Sequence, residues 1–145
     1  MALMDTLEVF RRWQRGEVPP IARLVGFRLI AFEPGIARFE LDAGPEHANP
    51  MGSLHGGILC DLGDAAMGTA TATTLKEGET FTTLELKINF LKPIWTARLV
   101  AEGRVIRRGR TIVLNECDIT DGGGSLVAKL SGSCMILRGT DAVGR

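Results

Sequence analysis

A few short stretches of this chain carry side chains able to do chemistry. Asp61 and Asp64 lie three residues apart in LHGGILCDLGDAAMGTATATTL, a run with almost no other polar side chain. On a helix, that spacing sets both carboxylates on one face. An apolar setting would push at least one pKa upward, which suits a general base. If one of them capped a helix or paired with an arginine from a neighbouring strand, the pair would be structural instead. His55, Gly56 and Gly57 fall where this helix should begin. Unpaired backbone N–H groups and the positive end of the helix dipole can hold an anionic oxygen there, and the glycines leave those amides uncovered. The alternative is plain loop-to-helix punctuation. Arg104, Arg107, Arg108 and Arg110 straddle Gly109; they could clamp phosphates or another anion, or simply solvate the end of a hairpin.

Other chemistries fit less well. His-Gly-Gly also occurs in the oxyanion motif of serine hydrolases, but Gly52-Ser53-Leu54-His55 breaks the G-x-S-x-G spacing of the nucleophile elbow. Cys60 has no base at a credible position and reads as a small core residue. His47, His55 and the aspartates follow no recognised ligand spacing, so neither a metal nor a cofactor is expected. Geometry adds a constraint. At about 100° per residue, His55 and Asp64 differ by about 900°, on opposite faces and roughly 13 Å apart along the axis. If the helix start and the carboxylate serve one reaction, a second copy of the helix must supply one of them, so the spacing predicts a dimer.

The elements that must position these residues follow from periodicity. Leu7, Phe10 and Trp13 give Thr6 to Arg15 an amphipathic helical pattern that Gly16 and Pro19-Pro20 end, and Ile21 to Leu24 suits one more helical turn. Phe27 to Phe32 and Ile36 to Leu41 read as a hairpin around Pro34-Gly35, a type II turn pair. The run holding the aspartates is apolar nearly all round and therefore belongs in an interior. Phe81 to Phe90, Arg98 to Arg108, Thr111 to Thr120 and Leu126 to Leu137 read as strands; their short connections imply an antiparallel meander, curved around the buried helix. The class is α+β, and residues 139–145 read as a loose tail.

The chain has 145 residues, enough for a single domain and core. Lys plus Arg number 17 and Asp plus Glu 17, so no net basic field draws nucleic acid or an anionic membrane. Cys60, Cys117 and Cys134 are odd in number and widely spaced, as expected of reduced thiols in a cytoplasm. The first residues lack the apolar stretch of a signal peptide, and Asp61 and Asp64 interrupt the best candidate for a membrane span.

Asn49-Pro50-Met51-Gly52-Ser53-Leu54-His55-Gly56-Gly57, followed by Asp64-Ala65-Ala66-Met67-Gly68, resembles the hotdog-fold acyl-CoA thioesterases of the phenylacetate-degradation (PaaI-like) branch. Thr83 to Pro93 resembles their following strand. In element order the likeness spans about Leu24 to Leu137, which divides the chain into an N-terminal helical extension (1–20), a hotdog domain (21–138) and the tail (139–145). The resemblance implies a long central helix wrapped by a curved antiparallel sheet, a homodimer with its active site at the interface, and often a dimer of dimers. It implies Asp64 as nucleophile or general base, Gly56 as backbone donor to the thioester oxygen with His55 supporting that loop, Asn49 to position water or polarise the carbonyl, and Thr83 near the attacking water. Gly57, Met51, Leu54, Met67 and Phe81 are the expected pocket residues, with Arg108 and Arg110 for the CoA phosphates. Asp61 has no counterpart in the pattern. The activity implied is hydrolysis of an acyl-CoA; non-catalytic acyl-CoA binding and another hotdog reaction such as enoyl-CoA hydration are the alternatives.

Overall fold

A computed structural model describes residues 5–145, and every structural statement below concerns those residues. Two short helices come first, α1 (Thr6–Gln14) and α2 (Pro20–Val25), then strands β1 (Arg28–Glu33) and β2 (Ile36–Ala43). The long helix α3 (Gly56–Ala72) follows, and then β3 (Glu79–Phe90), β4 (Ala97–Arg108), β5 (Ile112–Asp121) and β6 (Leu126–Arg138). Asp5 caps α1 by accepting from the Leu7 N–H, and Pro20 opens α2, where a missing N–H costs nothing. The proline pair thus starts α2 as much as it ends α1. Gly35 takes φ +77° in the β1–β2 turn, as a type II turn requires.

All six strands form one antiparallel sheet in the order β1-β2-β4-β5-β6-β3. The expected meander holds for β4, β5 and β6 but not for β3. Although only a short link separates β3 from β4, β3 pairs with β6, Phe81 opposite Ile136 and Phe90 opposite Ala128, and becomes an edge strand. β2 takes the place beside β4 instead. This order seats α3 in the sheet's concave side, where Leu62, Ala66, Met67 and Ala70 join Phe39, Leu99, Ala101, Ile119 and Leu130 in the main core. Backbone meets backbone at Gly103 of β4: a Cβ there would lie 2.4 Å from the backbone carbonyl of Ala66. Any side chain at Gly103 would have to lift the helix.

The helix is not covered all round. Its second half is almost wholly buried, but Cys60, Asp61, Asp64 and Ala65 leave part of its first half open. The N-terminal helix shares the main core rather than standing apart: Trp13 packs 5.2 Å from Phe39 and 6.0 Å from Phe27, centroid to centroid. In the C-terminal stretch, Gly139–Ala142 forms a 3-10 turn that buries Ala142 while its neighbours stay exposed. No helix among the described residues is long and apolar enough to cross a membrane.

Candidate active site

Two groups of side chains stand out at α3, and they sit at different points along it. At the helix start, His55 is the N-cap, its Nδ1 accepting from the Gly57 N–H at 2.9 Å. The Ile58 N–H donates to the His55 carbonyl. The Gly56 N–H has no protein partner among the described residues. A free amide at the positive end of a 17-residue helix is a ready donor to a negative oxygen. It borders a cleft of about 400 Å³ lined by Asn49, Ser53, Leu54, Leu59, Phe90 and Ile94 with neighbouring residues. A Cβ at Gly56 would sit 2.7 Å from the Phe90 ring, so a larger residue there would have to push that ring aside.

The loop before the helix is held by its own side chains. Asn49 Oδ1 accepts from the Met51 N–H, and its Nδ2 donates to Ser53 Oγ, both at 2.9 Å. The Leu54 N–H donates to the Ile94 carbonyl, which joins the loop to the segment before β4. His47 is buried and structural. Its Nδ1 accepts from the Gly44 N–H, and its Nε2 lies 2.7 Å from the Val25 carbonyl, which can only accept.

The second group lies on the open face of α3, where Thr83 Oγ1 on β3 donates to Asp64 Oδ1 at 3.3 Å. Neither Asp64 nor Asp61 makes an ion pair among the described residues, so the arginine partner that would render them structural is not there. Burial pushes the Asp64 carboxyl above the usual carboxylate range; the Thr83 hydrogen bond opposes this and the neighbouring charge of Asp61 adds to it. Burial also raises Asp61. Cys60, on the same face, is raised by burial and then by both aspartates, which keeps its thiol protonated and a poor nucleophile.

The other expected site residues scatter. Leu54 lines the cleft and Met51 is exposed on the loop beside it. Met67 is only 2% exposed and lies in the core, and Phe81 packs beside Gly68 and the small cluster of Val113, Cys134 and Ile136. Of the four arginines, Arg104 lies 2.9 Å from Asp118, and Arg108 pairs with the buried Glu79. Arg107 and Arg110 form no ion pair among the described residues and line a shallow groove with Gly109, Thr111, Ile112 and Leu114. Residues not singled out from sequence include Phe90, Leu59 and Ile94 around the cleft, and Glu79, Cys134 and Asn115 behind Arg108 and Thr83.

The chain is similar to several known proteins. The thioesterase superfamily model matches residues 51–128, which include the helix start, both aspartates and Thr83. A Saccharolobus solfataricus protein bearing an esterase name is 37% identical over 118 residues, covering 81% of this chain and 84% of its own. Acyl-coenzyme A thioesterase 13 of Homo sapiens is 27% identical over 103 residues, 70% of this chain and 73% of that one. Among solved structures, a thioesterase-named, phenylacetic acid degradation-related protein of Ralstonia eutropha superposes with a TM-score of 0.77 at 31% identity, covering 87% of this chain and 98% of its own. The PaaI protein of E. coli shares the fold, with a TM-score of 0.80 at 23% identity over 96% and 99% of the two chains. With the family model spanning more than half its length and the six-stranded sheet wrapped on α3, the chain belongs to the thioesterase superfamily and has its hotdog fold.

Proposed function

We propose that the protein hydrolyses an acyl-CoA thioester to the free acid and CoA. The observation that carries this reading is Asp64: a half-buried carboxylate beside Asp61, without a cation, joined only to the Thr83 hydroxyl. A structural aspartate would be paired or would cap a helix. As general base, Asp64 takes a proton from water whose oxygen forms the new C–O bond. The thioester oxygen becomes an oxyanion, and its collapse breaks the C–S bond; the leaving sulfur takes the proton held by Asp64 and departs as the CoA thiol. As nucleophile, Asp64 forms a mixed anhydride that water then opens. In either route the oxyanion needs a donor, and the free Gly56 N–H supplies one, a contribution of about 3 kcal/mol for a well-placed donor. His55 holds the helix start, and Asn49 keeps the loop in shape beside the thioester. The name of the human relative supports the CoA ester as substrate class.

The Gly56 and Asp64 groups lie far apart along one helix, so a complete site combines Gly56 of one protomer with Asp64 of another. Two surfaces support this homodimer. The outer edge of β3 is unpaired, and the open face of α3 lies beside it. Such an edge and face invite a second copy, and two dimers can in turn pair.

The test follows free thiol release from a panel of acyl-CoAs by the parent protein and by Asp64→Asn. Release that the substitution abolishes supports hydrolysis at Asp64. Tight acyl-CoA binding without release by the parent protein would make it a binding module, and hydration of an enoyl-CoA would move it to another hotdog reaction.

A further inference from the structure

Behind Thr83 lies a buried polar cluster for which the fold itself has no need. Asn115 of β5 is 1% exposed and faces inward among Val113, Cys117 and Ile119. Its Nδ2 lies 3.0 Å from Thr71 Oγ1, 3.5 Å from Cys134 Sγ and 3.5 Å from the Met67 carbonyl, while its Oδ1 is buried with no partner. The Met67 carbonyl can only accept, which fixes the amide with its nitrogen on this side. An orphaned amide oxygen is left without the hydrogen bonds it had in water, so an apolar residue would serve stability better. What Asn115 supplies is N–H groups.

Those hydrogens run in one direction. Thr71 accepts from Asn115 and has a single hydrogen of its own, which points at Cys134 Sγ, 3.9 Å away. Cys134 Sγ also lies 3.9 Å from Thr83 Oγ1. Thr83 gives its only hydrogen to Asp64, so in that contact the thiol must be the donor. Resting on the reading of Asp64 and Thr83 above, we propose that Asn115, Thr71 and Cys134 are positioning residues: they hold the Thr83 hydroxyl as an acceptor on its inner side, so that its hydrogen stays on the Asp64 carboxylate. Each link polarises the next. The whole relay lies within one protomer.

The test uses Cys134→Ala, Cys134→Ser, Thr71→Val, Thr83→Val and the double variant Thr83→Val/Cys134→Ala, each checked for folding and assayed by thiol release. Losing one weak hydrogen bond to Thr83 should lower kcat about three- to fivefold and leave KM unchanged. Cys134→Ser, which keeps a donor, should restore kcat, and Thr71→Val should show a smaller fall. Because Cys134 acts through Thr83, the double variant should be no slower than Thr83→Val alone. A Cys134→Ala protein with the parent kcat, or losses that multiply in the double variant, would overturn the proposal. Should Cys134→Ala not fold, Thr71→Val combined with Thr83→Val decides by the same rule. Asp64→Asn separates the two readings: if it keeps full turnover, both fail, whereas an inactive Asp64→Asn beside an unaffected Cys134→Ala sinks the relay alone.

Discussion

Asp64 and Glu79 are two carboxylates placed in opposite ways. Glu79 is 8% exposed and well supplied with donors: the Lys76 N–H at 2.9 Å, the Arg138 guanidinium at 2.7 Å, and Arg108. Burial alone would push its carboxyl up, but these donors outweigh it and hold Glu79 below the usual range. Asp64 receives one hydroxyl and no cation, and its carboxyl is raised. The first arrangement ties the start of β3 to the ends of β4 and β6. The second leaves a carboxylate poorly satisfied, at a cost in stability.

Exchanging each carboxylate for its amide should separate these roles. Asp64→Asn should lower kcat by about 10³-fold, the scale of a lost general base, while thermal melting at neutral pH shows equal or higher stability. The sign follows from linkage. A carboxyl raised in the folded state opposes folding once pH exceeds its unfolded pKa, so removing its charge relieves the fold. A clear fall in melting temperature would show Asp64 to be a structural residue. Glu79→Gln should do the reverse, costing about 2 kcal/mol and lowering the melting temperature by about 4–8 °C, with kcat within about twofold. Because Glu79 is lowered, its contribution is present above the unfolded pKa and is lost as pH falls through the folded one. The stability gap between parent and Glu79→Gln should therefore close in acid.

The same contrast divides the arginines. Arg108 is tied to Glu79, whereas Arg107 and Arg110 are not, so replacing Arg107 and Arg110 together by alanine should raise KM for acyl-CoA about fivefold with little change in kcat. An unchanged KM makes the groove a solvated turn. The smallest effect belongs to Asp61. Its charge helps to raise Asp64, so Asp61→Asn should move the acidic limb of the kcat/KM profile to lower pH. A limb that moves up, or does not move, would separate Asp61 from Asp64.

What the sequence disclosed and what it hid divide along physical lines. Alternation and turn residues placed every strand to within a few residues, because each depends on its own neighbours. The motif from Asn49 to Asp64 pointed to both groups of side chains at α3. The partner of β3 could not be read, since pairing with β6 depends on contacts with residues 38 to 59 positions away. For the same reason the capture of Arg108 by Glu79 was hidden, and the cluster near Gly109 looked like a set of equal cations. Trp13 looked like part of a peripheral helix because its aromatic partners, Phe27 and Phe39, come from later segments. Asn115 did leave a trace: it is the polar residue on the inward side of Val113, Cys117 and Ile119.

The seat of α3 on Gly103 has a consequence beyond packing. Asp64 rides on a helix whose height above the sheet is set on its far side, where the Ala66 carbonyl rests against a residue with no side chain. The missing methyl group works like a shim of zero thickness: it fixes a tolerance elsewhere in the mechanism. Gly103→Ala touches neither Asp64 nor Thr83, yet it would tilt or raise the helix and open a hydrogen bond already 3.3 Å long. In this chain the fit of the Asp64–Thr83 pair is machined into a glycine on the opposite side of the helix.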